Sequence, residues 1–171
     1  MKKSLLFITL MLCATLLISC TGTSGSNPSN DSQSRENLIK YRNQTLSFIK
    51  ANSSLPCMPG DSFESVETDG YESEKLGDEF IFVNTTLGIT YVFSGASMPE
   101  NTSLKSVKLE KPSYAIFGFA VGDKASDANL ILPASGFSSE SADGKYTYSK
   151  DSVYITVEHS DNEITSISIS I

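Results

Sequence analysis

Histidine, tryptophan and cysteine are scarce in this chain of 171 residues. It has one histidine, no tryptophan and three cysteines. A metal site made of several imidazoles is therefore excluded. The sequence also lacks a glycine-rich phosphate loop and a Gly-x-Ser-x-Gly nucleophile motif, so neither of these signatures of hydrolysis is available. The single histidine, His159, lies at the end of a predicted strand beside a polar turn, which favours a solvated side chain over a catalytic base.

Long apolar runs are absent except at residues 5–18, which follow two lysines at positions 2 and 3. A positive start followed by an apolar run too short for a comfortable transmembrane helix is typical of an export signal. Residues 17–20, Leu-Ile-Ser-Cys, resemble the bacterial lipobox. The resemblance implies that residues 1–19 are a signal peptide cleaved between Ser19 and Cys20, and that Cys20 carries diacylglycerol and palmitate-like chains. A plain signal peptide with an incidental cysteine, or an uncleaved anchor, is the alternative.

The residues after Cys20 fit a tether. Residues 21–33 contain no large apolar side chain and are rich in Ser, Gly and Asn, so they cannot bury enough surface to offset their ordering entropy. We expect residues 20–34 to form a flexible tether behind a stable lipid anchor of two or more chains. The lipobox therefore implies an extracytoplasmic lipoprotein of a bacterial cell envelope. Thr21, the residue after the lipidated cysteine, is compatible with sorting to the outer membrane, if the organism has one.

Acidic residues outnumber basic ones in the rest of the chain. The formal net charge is −7, and it becomes about −9 when the two signal lysines are removed. This balance argues against nucleic acid or anionic lipid as a partner. With Cys13 lost in the signal and Cys20 lipidated, Cys57 stands alone and no intrachain disulfide can form. Its neighbours favour a buried thiol over a reactive one.

The folded part begins with a predicted helix. Leu38, Tyr41, Thr45 and Ile49 share one face at helical spacing, which predicts an amphipathic helix over residues 35–51. Residues 35–58 are thus expected to form an N-terminal helix and a linker.

From residue 59 onward the apolar pattern has period two. Strands are predicted at residues 79–83, 87–93 and 104–110, and again at 145–149, 152–159 and 163–171. With an offset of 66, residues 70–94 align without gaps to residues 136–160, and Gly60-Asp61 matches Gly122-Asp123. Short segments of helical character, 62–68 and 124–132, precede the two strand sets. These observations predict an internal repeat.

The predicted fold class is α+β. We expect an N-terminal helix and then two tandem repeats of a short helix plus a three-stranded antiparallel β-meander in two layers, at residues 59–111 and 112–171. Residues 114–121 are expected to form a buried strand between them. In the second repeat, a three-residue loop at 160–162 would place Ile167 opposite Ile155. A two-residue loop would instead turn Ser166 and Ser168 toward the apolar face.

Each predicted unit has Gly-Asp, a short helix, Gly-aromatic and a meander, whose last strand contains Leu-Lys-Ser-Val at 104–107 in the first unit and Ile-Thr-Ser-Ile at 164–167 in the second. Over residues 59–171 this order resembles the small envelope domains related to β-lactamase-inhibitor protein and to the outer-membrane assembly lipoprotein of the E type. Two copies in tandem are more similar to the inhibitor. The resemblance implies no partner-contacting residue, but it raises an accessory role in outer-membrane assembly as a second hypothesis.

The sequence favours a non-enzymatic lipoprotein that binds a protein or envelope component through sheet faces and loops, without a cofactor. Tyr154 lies on the predicted polar face beside Thr156 and Glu158. Since tyrosine is favoured at protein interfaces, these three residues are candidate partner contacts; an isolated exposed aromatic is the alternative. The acidic residues between 61 and 79 could bind Ca²⁺, but their spacing fits no EF-hand and favours a solvated face. An enzyme with an unrecognised acidic site is the remaining alternative.

Overall fold

A computed structural model describes residues 28–95 and 101–171. Within these ranges there are two α-helices, α1 (Pro28–Ala51) and α2 (Ala125–Ala134), and one 3₁₀ turn at Phe63–Ser65. The strands are β1 (Glu72–Leu76), β2 (Glu79–Asn84), β3 (Ile89–Ser94), β4 (Leu104–Leu109), β5 (Ser138–Ala142), β6 (Lys145–Lys150), β7 (Val153–Ser160) and β8 (Glu163–Ser170).

All eight strands belong to a single antiparallel sheet with the order β1-β2-β3-β4-β8-β7-β6-β5. The predicted fold class, two repeats of a short helix plus a three-stranded meander, is therefore wrong. Each half of the sheet has four strands, and pairing of β4 with β8 joins the halves into one sheet. Among the described residues from 59 onward, α2 is the one α-helix, and the expected helix at 62–68 is reduced to the 3₁₀ turn.

The two outermost strands explain most of this error. Every described residue of β1 and β5 is exposed, so neither strand shows the alternation of apolar and polar residues that identifies a half-buried strand. They are held mainly by backbone pairing with β2 and β6. Residues 114–121 are also not a strand of the sheet; they form a connection with a tight reversal in which Ile116 and Phe119 exchange backbone hydrogen bonds of 2.8 and 3.0 Å.

Helix α1 begins at Pro28, seven residues before its predicted start and inside the predicted tether. Proline is well suited to the first position of a helix, because its missing N–H has no partner there. Extending an existing helix through Ser and Asn costs only about 0.5 kcal/mol per residue relative to alanine. The polar composition that predicted a flexible tether therefore does not prevent a helix that is anchored at its other end.

The two Gly-Asp pairs have the same local structure. Gly60 and Gly122 have φ values of 95° and 94°, which a glycine adopts without steric cost. Their amides donate to the carbonyls of Leu104 and Ile164 at 2.7 and 2.8 Å. The following aspartates accept from the amides of Met58 and Ala120, at 2.9 and 2.8 Å. Each pair thus fixes a turn to the start of the last strand in its half of the sheet.

The hairpin turns differ from the predicted registers. Residues 151–152 and 161–162 form two-residue turns with φ between 50° and 65°, as in type I′ turns. Ile167 lies opposite Val157 rather than Ile155, whose partner is Ile169. A register shift between Glu158 and His159 inserts an extra residue in β8 and so returns its isoleucines to the core face. The bulge thus keeps the isoleucines of β8 on the core face, which is what the three-residue loop was expected to do.

One face of the sheet carries the hydrophobic core. Ile89, Phe93, Val107, Ile155 and Ile167 are among its fully buried residues. The helices contribute to the same cluster. The contributing helical side chains are Leu46 and Ile49 of α1 and Ala125, Ala128 and Leu132 of α2.

Helix α1 is also attached by a polar contact to the β6–β7 turn. The buried hydroxyl of Thr45 donates to a carboxylate oxygen of Asp151 at 2.7 Å. Hydrogen bonds to charged acceptors are stronger than neutral ones. This contact therefore fixes the rotation of the C-terminal half of α1 against the sheet.

The buried hydroxyl of Tyr148 has no hydrogen-bond partner among the described residues. Burial and the neighbouring Tyr146 raise the pKa of Tyr148 to about 12. We expect Tyr148→Phe to raise the free energy of unfolding by about 1 kcal/mol, since an unpaired buried hydroxyl is unfavourable. Because the folded-state pKa is the higher one, this tyrosine also lowers stability as pH rises from about 10 toward 12. Urea unfolding at pH 7 and at alkaline pH measures both effects.

Tyr91 is the matched control. It is as buried as Tyr148, but its hydroxyl is hydrogen-bonded to Tyr71 and to the thiol of Cys57. Tyr91→Phe should therefore destabilise by about 1 kcal/mol. If both variants lost stability equally, the Tyr148 hydroxyl would have to be satisfied after all.

Candidate binding face

The second face of the sheet presents two rows of side chains that cross all eight strands. Pairing registers align the first row as Glu74, Ile81, Val92, Ser106, Ser170, Tyr154, Ser149 and Ser138. The second row is Glu72, Val83, Thr90, Lys108, Ser168, Thr156, Thr147 and Glu140. All of these residues are exposed or half-buried. We call the two rows together the open face.

Both helices pack on the opposite side of the sheet. Their buried residues belong to the same cluster as Ile155 and Ile167, whose neighbours along the strands, Thr156 and Ser168, point to the open face. Alternate residues of a strand lie on opposite faces, so the open face receives none of the helical core contacts. It is a broad surface supported by one continuous antiparallel sheet.

The chemistry of the open face changes across the sheet. In the half built from β6, β7 and β8, serine and threonine hydroxyls predominate, and these can donate and accept hydrogen bonds. In the other half, Ile81, Val83 and Val92 are half-buried aliphatic side chains. Lys108 stands between the halves and contacts Glu110 at 2.6 Å. The open face therefore offers an apolar patch beside a set of hydroxyl groups.

The structure places Tyr154 and Thr156 in the open face, and Glu158 lies on the same side of the sheet just beyond the two rows, paired with Ser166 and Lys145. Tyr154 is 45% exposed, which makes it the most exposed aromatic side chain in the strands that the structure describes. Thr156 lies between Ser168 and Thr147 in the second row. Glu158 accepts a hydrogen bond from the buried hydroxyl of Ser166 at 2.7 Å, so its carboxylate is oriented. Their role in binding stays a prediction.

The sequence reasoning missed the aliphatic half of the open face. In β2, Phe80 and Phe82 face the core, but the alternate residues Ile81 and Val83 are apolar as well. A strand that is apolar on both sides has a second face to cover. That signal was present in residues 79–83 and could have identified the patch.

The other candidate chemistries find no support among the described residues. His159 stacks on the ring of Tyr146, with centroids 4.7 Å apart. Within residues 28–95 and 101–171, no group of three or more His, Cys, Asp or Glu side chains could hold a metal ion. In the acidic segment 61–79, the carboxylate of Asp61 accepts a hydrogen bond from the amide of Met58. It also forms an ion pair with Lys50, whose ammonium lies 3.7 Å away.

Cys57 is buried and hydrogen-bonded to Tyr91. The pKa of its thiol is raised to about 11, mainly because the group is buried. Since the thiolate is the reactive form, this cysteine is inert at neutral pH, in keeping with a structural role.

The predicted lipidation and cleavage residues, Cys20 and Ser19, lie outside the described residues. Among the helices that are described, none is both long enough and apolar enough to span a membrane. Comparison with protein-family models, with curated proteins and with solved structures finds no match for this chain.

Proposed function

We propose that this protein is a non-enzymatic lipoprotein of the bacterial cell envelope, anchored through Cys20, that binds a partner protein through the open face. The observation that carries the proposal is the combination of an exposed tyrosine, a hydroxyl-rich surface and an aliphatic patch on one rigid sheet. The lipobox resemblance supports the anchor.

The anchor is tested by metabolic labelling with an alkyne-tagged palmitate. The wild-type chain should take up the label and remain in the membrane fraction. Cys20→Ser should abolish the label, because the sulfur that forms the thioether is gone. A label that persists in this variant would refute lipidation at Cys20.

The open face is tested by photo-crosslinking in cells that express the full chain. A photoreactive amino acid at position 154 should give a discrete crosslinked protein. The same group at position 130 should not, because Leu130 is 74% exposed on the far side of α2 from the core. Introducing Thr156→Asp next to the probe should abolish the crosslink, since it places an uncompensated charge in the contact. Equal products from positions 154 and 130 would contradict the proposal.

A further inference from the structure

The N-terminal half of α1 extends beyond the folded domain. Residues 31–41 are all exposed, whereas Thr45, Leu46 and Ile49 are buried against the sheet. The exposed part nevertheless carries large apolar side chains. Leu38 is 58% exposed, and Ile39 and Tyr41 are exposed beside it.

These apolar residues continue the buried stripe of the helix. Leu38 and Ile39 are seven residues before Thr45 and Leu46, and residues seven apart lie on nearly the same side of an α-helix. The stripe that packs on the domain thus runs on past its edge. Contiguous exposed apolar side chains of this kind mark a surface that contacts something else.

The balance of acidic and basic residues differs between this helix and the sheet region. Residues 31–42 of α1 contain three basic residues, Arg35, Lys40 and Arg42, and two acidic ones, Asp31 and Glu36. Residues 59–171 contain 18 acidic and 7 basic residues. The acidic balance that argued against anionic lipid is therefore a property of the sheet region and not of α1.

We propose that residues 31–42 of α1 lie on the surface of the membrane, in contact with anionic lipid headgroups. This proposal rests on the lipid anchor at Cys20 proposed above. Pro28 is eight residues after Cys20, which limits its distance from the anchor to roughly 30 Å. Residues 21–27 contain no large apolar side chain, so this intervening segment cannot cover the apolar stripe. The membrane interface is within reach and offers both apolar depth and negative charge.

Contact along α1 would restrict how the domain turns on its anchor. Arg35, Leu38, Ile39 and Arg42 are at positions i, i+3, i+4 and i+7, so they share one side of the helix. With that side toward the bilayer, Leu38 and Ile39 would reach the acyl chains and the two guanidinium groups would extend to the headgroups. Since Thr45 and Ile49 attach the same helix to the sheet, the open face is held in a defined orientation instead of rotating freely on a flexible tether.

The absence of tryptophan from the sequence permits a direct test. Residues 20–171 are coupled through Cys20 to a maleimide phospholipid in vesicles; Cys57 is spared because it is buried and its pKa is about 11. Leu38→Trp provides a single fluorophore on α1. Leu76→Trp is the matched control, because Leu76 is 63% exposed at the outer edge of the sheet. Emission and quenching by brominated lipid tails and by aqueous acrylamide are then measured.

In vesicles that contain phosphatidylglycerol, the Leu38→Trp emission should shift to shorter wavelength, with strong quenching by brominated lipid and weak quenching by acrylamide. The Leu76→Trp probe should stay accessible to acrylamide. The double substitution Arg35→Glu and Lys40→Glu should return the position-38 probe to water.

Three outcomes would overturn the proposal. The position-38 probe could be as accessible as the position-76 probe, or it could be buried equally in pure phosphatidylcholine, which would remove the role of anionic lipid. Alternatively, its emission could shift without vesicles as protein concentration rises, which would show that a second copy covers the helix. Because the anchor is attached chemically here, these outcomes leave lipidation of Cys20 in cells untouched, and failure of palmitate labelling leaves this test valid.

Discussion

Ile155→Asp is expected to unfold the domain at neutral pH. Ile155 is fully buried at the centre of β7, between Tyr148 on β6 and Ile169 on β8, which are also buried. A carboxylate at this position has neither water nor a cationic partner, and such a group costs several kcal/mol. A domain of this size has about 5–15 kcal/mol of total stability, so most of it would be lost. Urea denaturation followed by circular dichroism measures the change.

Thr156→Asp is the control for this prediction. It introduces the same charge one residue later, on the open face, where the side chain is only half-buried. We expect a loss of less than about 1 kcal/mol, as for most surface substitutions. The introduced carboxyl at position 155 would have a raised pKa, so that variant should regain stability as pH falls toward about 4, the pKa of an aspartate in the unfolded chain. Similar losses for the two variants would mean that β7 does not have the described register.

The sequence predicted which residues face the core better than it predicted how strands pair. Alternation along residues 152–169 was sufficient to place Ile155 and Ile167 in the core, because burial of one strand face repeats every two residues. The registers were wrong because they depend on turn geometry. Asp161 and Asn162 both adopt positive φ, which Asp and Asn tolerate better than most residues, and a bulge then corrects the facing of β8.

Strands β1 and β5 could not be predicted from apolar pattern, since their side chains bury nothing. Joining of the two halves through β4 and β8 was also beyond the sequence. Residues 104–109 and 163–170 alternate in the same way whether they form a sheet edge or a central pair. The choice depends on long-range pairing, which leaves no local signature in either strand.

The candidate site could likewise be predicted only where it depends on local spacing along one strand. Tyr154, Thr156 and Glu158 could be assigned to one face from their spacing alone. The row that connects Tyr154 to Ile81 and Val92 crosses the whole sheet, and it exists only because the two halves are paired. The exposed half of α1 was missed because its polar start was interpreted as a tether.

Gly88→Ala is expected to be strongly destabilising. Gly88 lies in the β2–β3 connection with φ of 63°, and its backbone is held by hydrogen bonds of 2.8 Å to Asn84 and to Glu110. A methyl group there would lie 2.9 Å from the backbone nitrogen of Lys111 and still closer to its side chain. Left-handed φ costs about 1–2 kcal/mol for an L-residue, and overpacking adds about 1–3 kcal/mol. The total loss is therefore expected to be roughly 3 kcal/mol or more.

Gly77→Ala separates the two contributions. Gly77 has almost the same φ, 62°, but no atom lies within 4 Å of where its methyl group would be. This variant should show only the conformational cost, about 1–2 kcal/mol, and the difference between the two alanine variants measures the overlap with Lys111. Lys111→Ala should not relieve that overlap fully, because the backbone nitrogen remains in place. If Gly88→Ala were no worse than Gly77→Ala, the β2–β3 connection would have to move away from the residues that follow β4, and the edge of the open face that carries Val83 would move with it.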